Sequence, residues 1–465
     1  LYLSLDVELQ QLGEKLMTNK VGSIVAIDPR TGGILCMVSS PTYDPNYLTG
    51  HDRRKHYGAL ALDPRLPLIN RTANSKYSPG STFKTIVGII GLTEGVITDK
   101  STVYCPGAFY CGNRRMGCLD PGTFQIRGAI AHSCNTYFAT VYKRILDQPR
   151  YGLPDSALKV FNGYAYSFGL GKRLGMDVPT EKFGNIPVSS HYVKIFGKKW
   201  NSCNIISNAI GQGEVETTLA QLANVMATLA NKGWYYTPHL VDSIEGSTAE
   251  DTTLARFKVK HYTDKRIPDS IFEIVHDGMQ GVMEYGTGAA AKVPGVVVCG
   301  KTGTVENYYK GVKQKDHAFF GAFAPRDNPR IAIAVICENA GFGASSSAPI
   351  ASLMIEKYLK DSISGQERKN RVEELAKTNL IPARMKKEME RLDSLKQARL
   401  RQIDIPEPEA SDSTNTDEED MQPTPTDKQK NKPKKDTSNQ TSNGVAILTN
   451  NEKKYSTKKY VRTEA

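Results

Sequence analysis

The stretch Pro79-Gly80-Ser81-Thr82-Phe83-Lys84, with the run 85–92 behind it, constrains this chain more than any other segment. Residues three apart on a helix project to the same side with β-carbons about 5–6 Å apart, so the Lys84 amine can reach the Ser81 hydroxyl. A hydroxyl at neutral pH is a poor nucleophile without an adjacent base. Lys84 is such a base only when neutral, and from a pKa of about 10.4 that requires burial and neighbouring positive charge. The run Thr85-Ile86-Val87-Gly88-Ile89-Ile90-Gly91-Leu92 is apolar all round, the pattern of a helix enclosed by protein. Burial is therefore available. Alone the pair is unspecific, because Ser-x-x-Lys recurs by chance in many helices.

Two regimes divide the 465 residues. Residues 1–363 carry regular apolar segments sufficient for a large core. Residues 364–402 are highly charged and expected to form a helical extension, and 403–465 mix an acidic block, Asp417 to Asp420, with a basic one amid Pro, Thr, Ser and Asn. Such a tail buries too little apolar surface to offset ordering, so disorder is expected there. The formal charge of +11 is modest for this length. Basic runs in the tail lack interleaved aromatics, so nucleic acid is not an expected partner. No apolar stretch reaches the roughly 18 residues that span a bilayer, and no signal peptide is visible. Leu1-Tyr2-Leu3-Ser4-Leu5 reads as mid-strand, so sequence upstream of residue 1 is expected.

Asp6 is a suitable cap for a helix with Val7, Leu9, Leu12 and Leu16 on one face. Segments 23–27 and 34–38 flank Asp28-Pro29-Arg30-Thr31-Gly32-Gly33 and read as a β-hairpin. Helical fragments broken by Gly and Pro follow, then a clearer helix at 219–230 capped by Thr218. Helix 274–283, a buried strand at 296–299, a hairpin of 318–323 with 330–337, and helix 349–359 complete the series. The expected fold is mixed α/β: a five-stranded, mainly antiparallel sheet flanked by helices, with a helical insertion between strands two and three.

Two further motifs give the Ser81 pair its context: Ser133-Cys134-Asn135 in the insertion, and Lys301-Thr302-Gly303-Thr304 directly after the run 296–300. Together, in this order, they describe a serine acyl-transfer site. Ser81 attacks a carbonyl and Lys84 accepts its proton. Ser133 can pass a proton to the leaving nitrogen. Asn135, both donor and acceptor, can hold a substrate amide. Lys301, with the hydroxyls of Thr302 and Thr304, offers a site for a substrate carboxylate. Backbone N–H groups of Ser81 and Thr304 are candidates for an oxyanion hole, where losing one donor costs about 2.7–4 kcal/mol. Gly303 lets substrate approach the strand closely.

Residues 1–361 resemble the transpeptidase domain of class B penicillin-binding proteins, specifically the elongation-type penicillin-binding protein 2 branch. The likeness rests on the three motifs, on 22–29, on Ser39-Ser40-Pro41-Thr42-Tyr43-Asp44-Pro45-Asn46, on Asn70-Arg71, and on Gly211-Gln212-Gly213. It implies a β-lactamase/transpeptidase-like fold with a helical subdomain. It also implies cross-linking of peptidoglycan stem peptides ending in D-Ala-D-Ala, and acylation of Ser81 by β-lactams. Members of that family have an N-terminal membrane anchor, a periplasmic catalytic domain and a polytopic glycosyltransferase partner. No cofactor is required for the chemistry. Some members hold a structural zinc beside the site, for which Cys105, Cys118, Cys134 and either Cys111 or Asp120 are the candidates here; reduced core cysteines or a single disulfide are the alternatives. Competing functions are a D,D-carboxypeptidase or β-lactamase, in which water deacylates the enzyme, and a non-catalytic sensor of peptides or β-lactams. No glutamate stands in a context that marks a deacylating base.

Overall fold

The computed structural model describes residues 1–248 and 251–403. Helix α1, Val7–Leu16, leads into strands β1, Gly22–Ile27, and β2, Ile34–Ser40. After the turn-rich segment come α2, Lys84–Thr93, α3, Ile126–Ala131, and α4, Asn135–Leu146. Helices α5, Leu219–Ala230, and α6, Asp269–Glu284, precede strands β3, Cys299–Val305, β4, His317–Ala324, and β5, Ile331–Cys337. Helix α7, Ser347–Lys360, is followed by α8, Gln366–Lys377, and α9, Ala383–Ile403.

The main sheet has five strands in the order β3-β4-β5-β1-β2, every neighbouring pair antiparallel. Strands β1 and β5 are buried at every position. Helix α5 covers one face and α1 with α7 the other. Burial on both sides explains why the alternation of Ile331-Ala332-Ile333-Ala334-Val335 is weak: neither face needs polar residues. At Gly321 on β4 an added Cβ would lie 3.0 Å from the Met226 sulfur of α5, so the missing side chain sets how closely that helix approaches.

Local signals behave as expected in several places. Asp6 accepts from Leu9 N, and Thr218 and Gln221 form a reciprocal capping box at the start of α5; a cap of this kind contributes about 1 kcal/mol. All twelve residues of α5 are buried. Strand β3 departs from the expectation. It begins at Cys299 and continues to Val305, so Lys301, Thr302, Gly303 and Thr304 lie within the strand rather than after it. Pairing of Cys299 to Val305 with Phe323 to His317 sets the register, and this outweighs the β-propensity of Val296-Val297-Val298, which form the approach to the strand.

The charged segment beyond α7 folds as the two helices α8 and α9. From residue 404 onward the expected disorder lies outside the described residues. Among the described residues no helix is long and apolar enough to cross a membrane.

Candidate active site

Ser81 lies in a 3-10 turn, Gly80–Phe83, that runs directly into α2. In such a turn positions i and i+3 eclipse, so Ser81 and Lys84 still share a side although the regular helix starts only at Lys84. Lys84 is fully buried. Its Nζ donates to Ser133 O at 2.6 Å, to Ser133 Oγ at 3.1 Å and to Asn135 Oδ1 at 2.5 Å. Burial pulls its pKa down to about 7, against an opposing upward pull from the sulfurs of Cys118 and Cys134.

Ser133 occupies the left-handed region, φ 56°, in the tight turn between α3 and α4. Cys134, not Asn135, caps α4, its sulfur accepting from Tyr137 N. Asn135 is held on every side: Oδ1 by Lys84, Nδ2 donating to Gly117 O at 2.7 Å, and backbone N donating to Cys118 Sγ at 3.2 Å. One hydrogen of its amide nitrogen remains for a substrate.

Strand β3 is an edge strand, and the turn that carries Ser81 packs on it. A Cβ on Gly80 would stand 2.7 Å from Val305 Cγ2, and one on Gly303 would stand 3.3 Å from Pro79 O. Lys301 is fully buried, with Nζ donating to Thr302 O at 3.1 Å. Burial first, and the Lys84 charge second, hold its pKa well below that of a free lysine. Thr302 Oγ1 lies 2.6 Å from Thr287 Oγ1, a fixed hydroxyl pair at the strand. Hydrogen bonds thus join Lys84 to Ser133 and Asn135 at the start of α4, and the turn that carries Ser81 packs on the strand that carries Lys301, Thr302, Gly303 and Thr304. Cavities of about 250 and 800 Å³ elsewhere are lined by none of these residues.

Gly211 and Gln212, to which sequence reasoning assigned no role, brace the turn from behind. Gly211 O accepts from Gly80 N at 2.9 Å, and Gln212 Nε2 reaches Thr304 O at 3.4 Å. A Cβ on Gly211 would fall 2.3 Å from Gly80 O, and its φ is +66°. The Gly-Gln-Gly spelling was the only available signal.

The sulfurs of Cys105, Cys118 and Cys134 lie within 4.8 Å of one another. Cys118 and Cys134 stand 3.7 Å apart, close to the roughly 3.8 Å that two tetrahedral Zn–S bonds of about 2.3 Å impose. Their contact pushes the Cys118 thiol down and the Cys134 thiol up. The donor set fits a thiolate-bound metal in three positions. Two candidates drop out. Cys111 forms a disulfide with Cys203, 92 residues away, and the Asp120 carboxylate turns to His132 Nδ1 at 3.3 Å instead of joining the sulfurs.

Sheet order and the motifs carried on its edge strand and neighbouring turns define the class, a transpeptidase-type domain. Residues 22–356 match the penicillin binding protein transpeptidase domain, and the chain belongs to that family. It is 33% identical over 380 residues to the peptidoglycan D,D-transpeptidase MrdA of Acinetobacter baumannii, covering 77% of this chain and 54% of the relative. It is 32% identical over 382 residues to MrdA of Escherichia coli, covering 78% and 58%. The chain thus spans little more than half the length of these curated relatives. Among solved structures, Pseudomonas aeruginosa PBP2 in complex with WCK 5153 superposes with a TM-score of 0.67 at 31% identity, covering 78% of this chain and 77% of that one. Helicobacter pylori PBP2 in complex with MreC gives 0.66 at 26%, covering 77% and 63%. The fold is the β-lactamase/transpeptidase fold.

Proposed function

We propose that this protein is a peptidoglycan D,D-transpeptidase of the elongation type, acting through an acyl-enzyme on Ser81. The observation that carries this reading is the convergence of buried Lys84 on Ser133 and Asn135 beside a nucleophile turn seated on an open strand edge. A neutral lysine amine keeps two N–H donors and one lone pair. Ser133 O and Asn135 Oδ1 can take the donors, leaving the lone pair for the Ser81 proton.

The stem peptide adds along the edge of β3 with its terminal carboxylate toward Lys301, Thr302 and Thr304. Ser81 Oγ forms a bond to the penultimate D-Ala carbonyl carbon as Lys84 takes the hydroxyl proton. The N–H groups of Ser81 and Thr304 hold the oxyanion. Collapse breaks the peptide C–N bond, and Ser133 relays a proton to the leaving D-Ala amine. A second stem's amine then attacks the ester, gives up its proton along the same route, and restores Ser81. β-Lactams, as mimics of the donor, acylate the same oxygen.

Cys105, Cys118 and Cys134 would hold a zinc ion. When bound, the metal supplies a structural cross-link and no part of the acyl transfer. These cysteines fix the turn from which Ser133 and Asn135 project. The Cys111–Cys203 disulfide supports an oxidising compartment, and we place this domain in the periplasm, in a whole protein anchored to the inner membrane. A polytopic glycosyltransferase of that membrane is the expected partner, in keeping with the likeness to a solved peptidoglycan synthase complex that coordinates polymerization and crosslinking.

The test is intact mass over time with benzylpenicillin, alongside Ser81→Ala. A one-to-one adduct that persists for many minutes and is absent from the variant is expected. Rapid clearance with consumption of drug would assign a hydrolase instead, and no adduct on folded protein would sink the role of Ser81. Release of D-alanine with formation of a dimeric cross-linked product separates transfer from carboxypeptidase action.

A further inference from the structure

The family match ends at residue 356, yet two buried charges of the catalytic domain find their partners beyond it. Glu356 of α7 is fully buried. Its carboxylate accepts from Ser364 Oγ and from Arg368 Nε. Arg368 in turn donates to Ser352 Oγ at 3.0 Å and to Lys292 O at 3.1 Å. Lys20, 2% exposed just before β1, points its Nζ into the C-terminal end of α8. There it donates to Leu375 O and, at 3.3 Å, to Thr378 O. A cation at the carbonyl end of a helix is favourable. Charges of this kind make 364–378 part of the domain's own electrostatics.

The same contacts fix a direction. Lys292 precedes the Cys299 end of β3, whereas Lys20 adjoins Gly22, which pairs with Cys337 and Ser40 at the Thr304 end of the sheet. Helix α8 therefore brings the chain back to the catalytic end. Leu380 N donates to Asn19 O at 2.9 Å, and α9 starts there with Met385 buried. The Arg384 guanidinium lies 4.1 Å from the centroid of the Tyr309 ring. Tyr309 belongs to the small hairpin of Tyr308–Tyr309 with Val312–Lys313, a separate two-stranded ribbon that follows β3 in the chain after Val305.

We propose that residues 364–403 are a positioning element of the transpeptidase site, which through Arg384 and Tyr309 holds the hairpin 308–313 as the wall that receives the donor stem peptide upstream of its D-Ala-D-Ala end. This rests on the functional reading above. With the carboxylate at Lys301, an antiparallel peptide leaves the site past Thr304. At about 3.3 Å per residue, the three residues before the D-Ala pair span about 10 Å, comparable to the extended length of 304–307, the chain that leads from Thr304 into the hairpin. The short acyl side chain of benzylpenicillin does not extend that far. Arg384 is a positioning residue, and its effect belongs to long substrates.

The experiment compares the full chain with Arg384→Ala and Arg384→Lys. Three readouts are taken: D-alanine release from a pentapeptide stem, acylation by benzylpenicillin, and amide exchange of residues 306–315. Arg384→Ala is expected to raise KM for the stem about 3–10-fold with kcat unchanged, to leave benzylpenicillin acylation within twofold, and to speed hairpin exchange. Arg384→Lys, which keeps a cation over the ring, is expected to recover part of the KM. Unchanged KM and unchanged hairpin exchange in Arg384→Ala would overturn the proposal, as would an equal loss toward benzylpenicillin, which would mark a general structural role. Absence of D-alanine release in the unsubstituted protein would overturn the functional reading, a different result read from a different sample.

Discussion

Lys84 Nζ sits 2.5 Å from Asn135 Oδ1 and 3.1 Å from Ser133 Oγ, so the lysine three residues after Ser81 is anchored by the Ser133-Cys134-Asn135 motif. Burial brings its pKa down to about 7, against the upward pull of the Cys118 and Cys134 sulfurs. The base form is the neutral amine, which grows as pH rises. Acylation by benzylpenicillin is therefore expected to climb about tenfold per pH unit below 7 and to level above it. Stopped-flow acylation from pH 5.5 to 9 measures this, and Lys84→Ala should lose about 10²–10⁴-fold at the plateau.

Gly211 has no room for a side chain. A Cβ there meets Gly80 O at 2.3 Å in a left-handed conformation, which costs about 1–3 kcal/mol in strain alone. Gly211→Ala is expected to lower the thermal midpoint and to slow acylation by about tenfold or more, because the displaced Gly80 carries Ser81 with it. Melting curves and acylation rates on one preparation give both.

The Cys111–Cys203 bond joins the hairpin of Ala108–Cys111 with Arg114–Gly117, whose Gly117 O holds Asn135, to Ser202–Ile210, which leads into Gly211. Thiol titration of denatured, unreduced and metal-free protein is expected to find the six remaining cysteines free. Reduction should cost about 2–5 kcal/mol and slow acylation, read by urea melts with and without reductant.

Arg368 is the closest cation to a carboxylate with no solvent exposure. Arg368→Ala leaves Glu356 buried without it, and breaking a buried pair costs about 3–5 kcal/mol. Arg391→Ala, which removes only an exposed pair with Glu388, should leave the denaturation midpoint unchanged. Parallel denaturant titrations distinguish the two.

Three thiols spaced for tetrahedral sulfur ligation predict metal in protein purified without chelator. About one zinc per chain is expected, with Cys118→Ser lowering both zinc content and melting temperature. Elemental analysis showing no metal would assign the cluster to plain core packing.

The parts of this architecture that could be read in advance were those with strong local chemistry. Thr218 with Gln221 marks a helix start within four residues, and the Pro325-Arg326-Asp327-Asn328-Pro329 turn marks the hairpin of β4 and β5. Ser81, Lys84, Ser133, Asn135 and the Lys301 motif stand out because an acyl-transfer site would give each residue type a distinct job. What escaped depends on distant partners. Strand β3 takes its limits from β4, not from its own valines. Cys111 looks like a metal ligand beside Cys105 and Cys118 until Cys203 claims it. Hairpin 308–313 has two-residue strands too short for any periodicity, and nothing local to Lys20 marks it for burial, which comes from α8.

The connectivity of the disulfide bears on how the protein is made. A chain emerging N-terminus first into an oxidising space presents Cys105, Cys111, Cys118 and Cys134 to one another before Cys203 arrives. Bonds between consecutive thiols would lock Cys111 or Cys118 to the wrong neighbour, and the finished site keeps Cys118 and Cys134 only 3.7 Å apart without joining them. In the proposed periplasmic setting, a disulfide-shuffling catalyst or early capture of three thiols by metal would keep Cys111 for Cys203, and the yield of competent enzyme would be governed by that chemistry as well as by the stability of the folded domain.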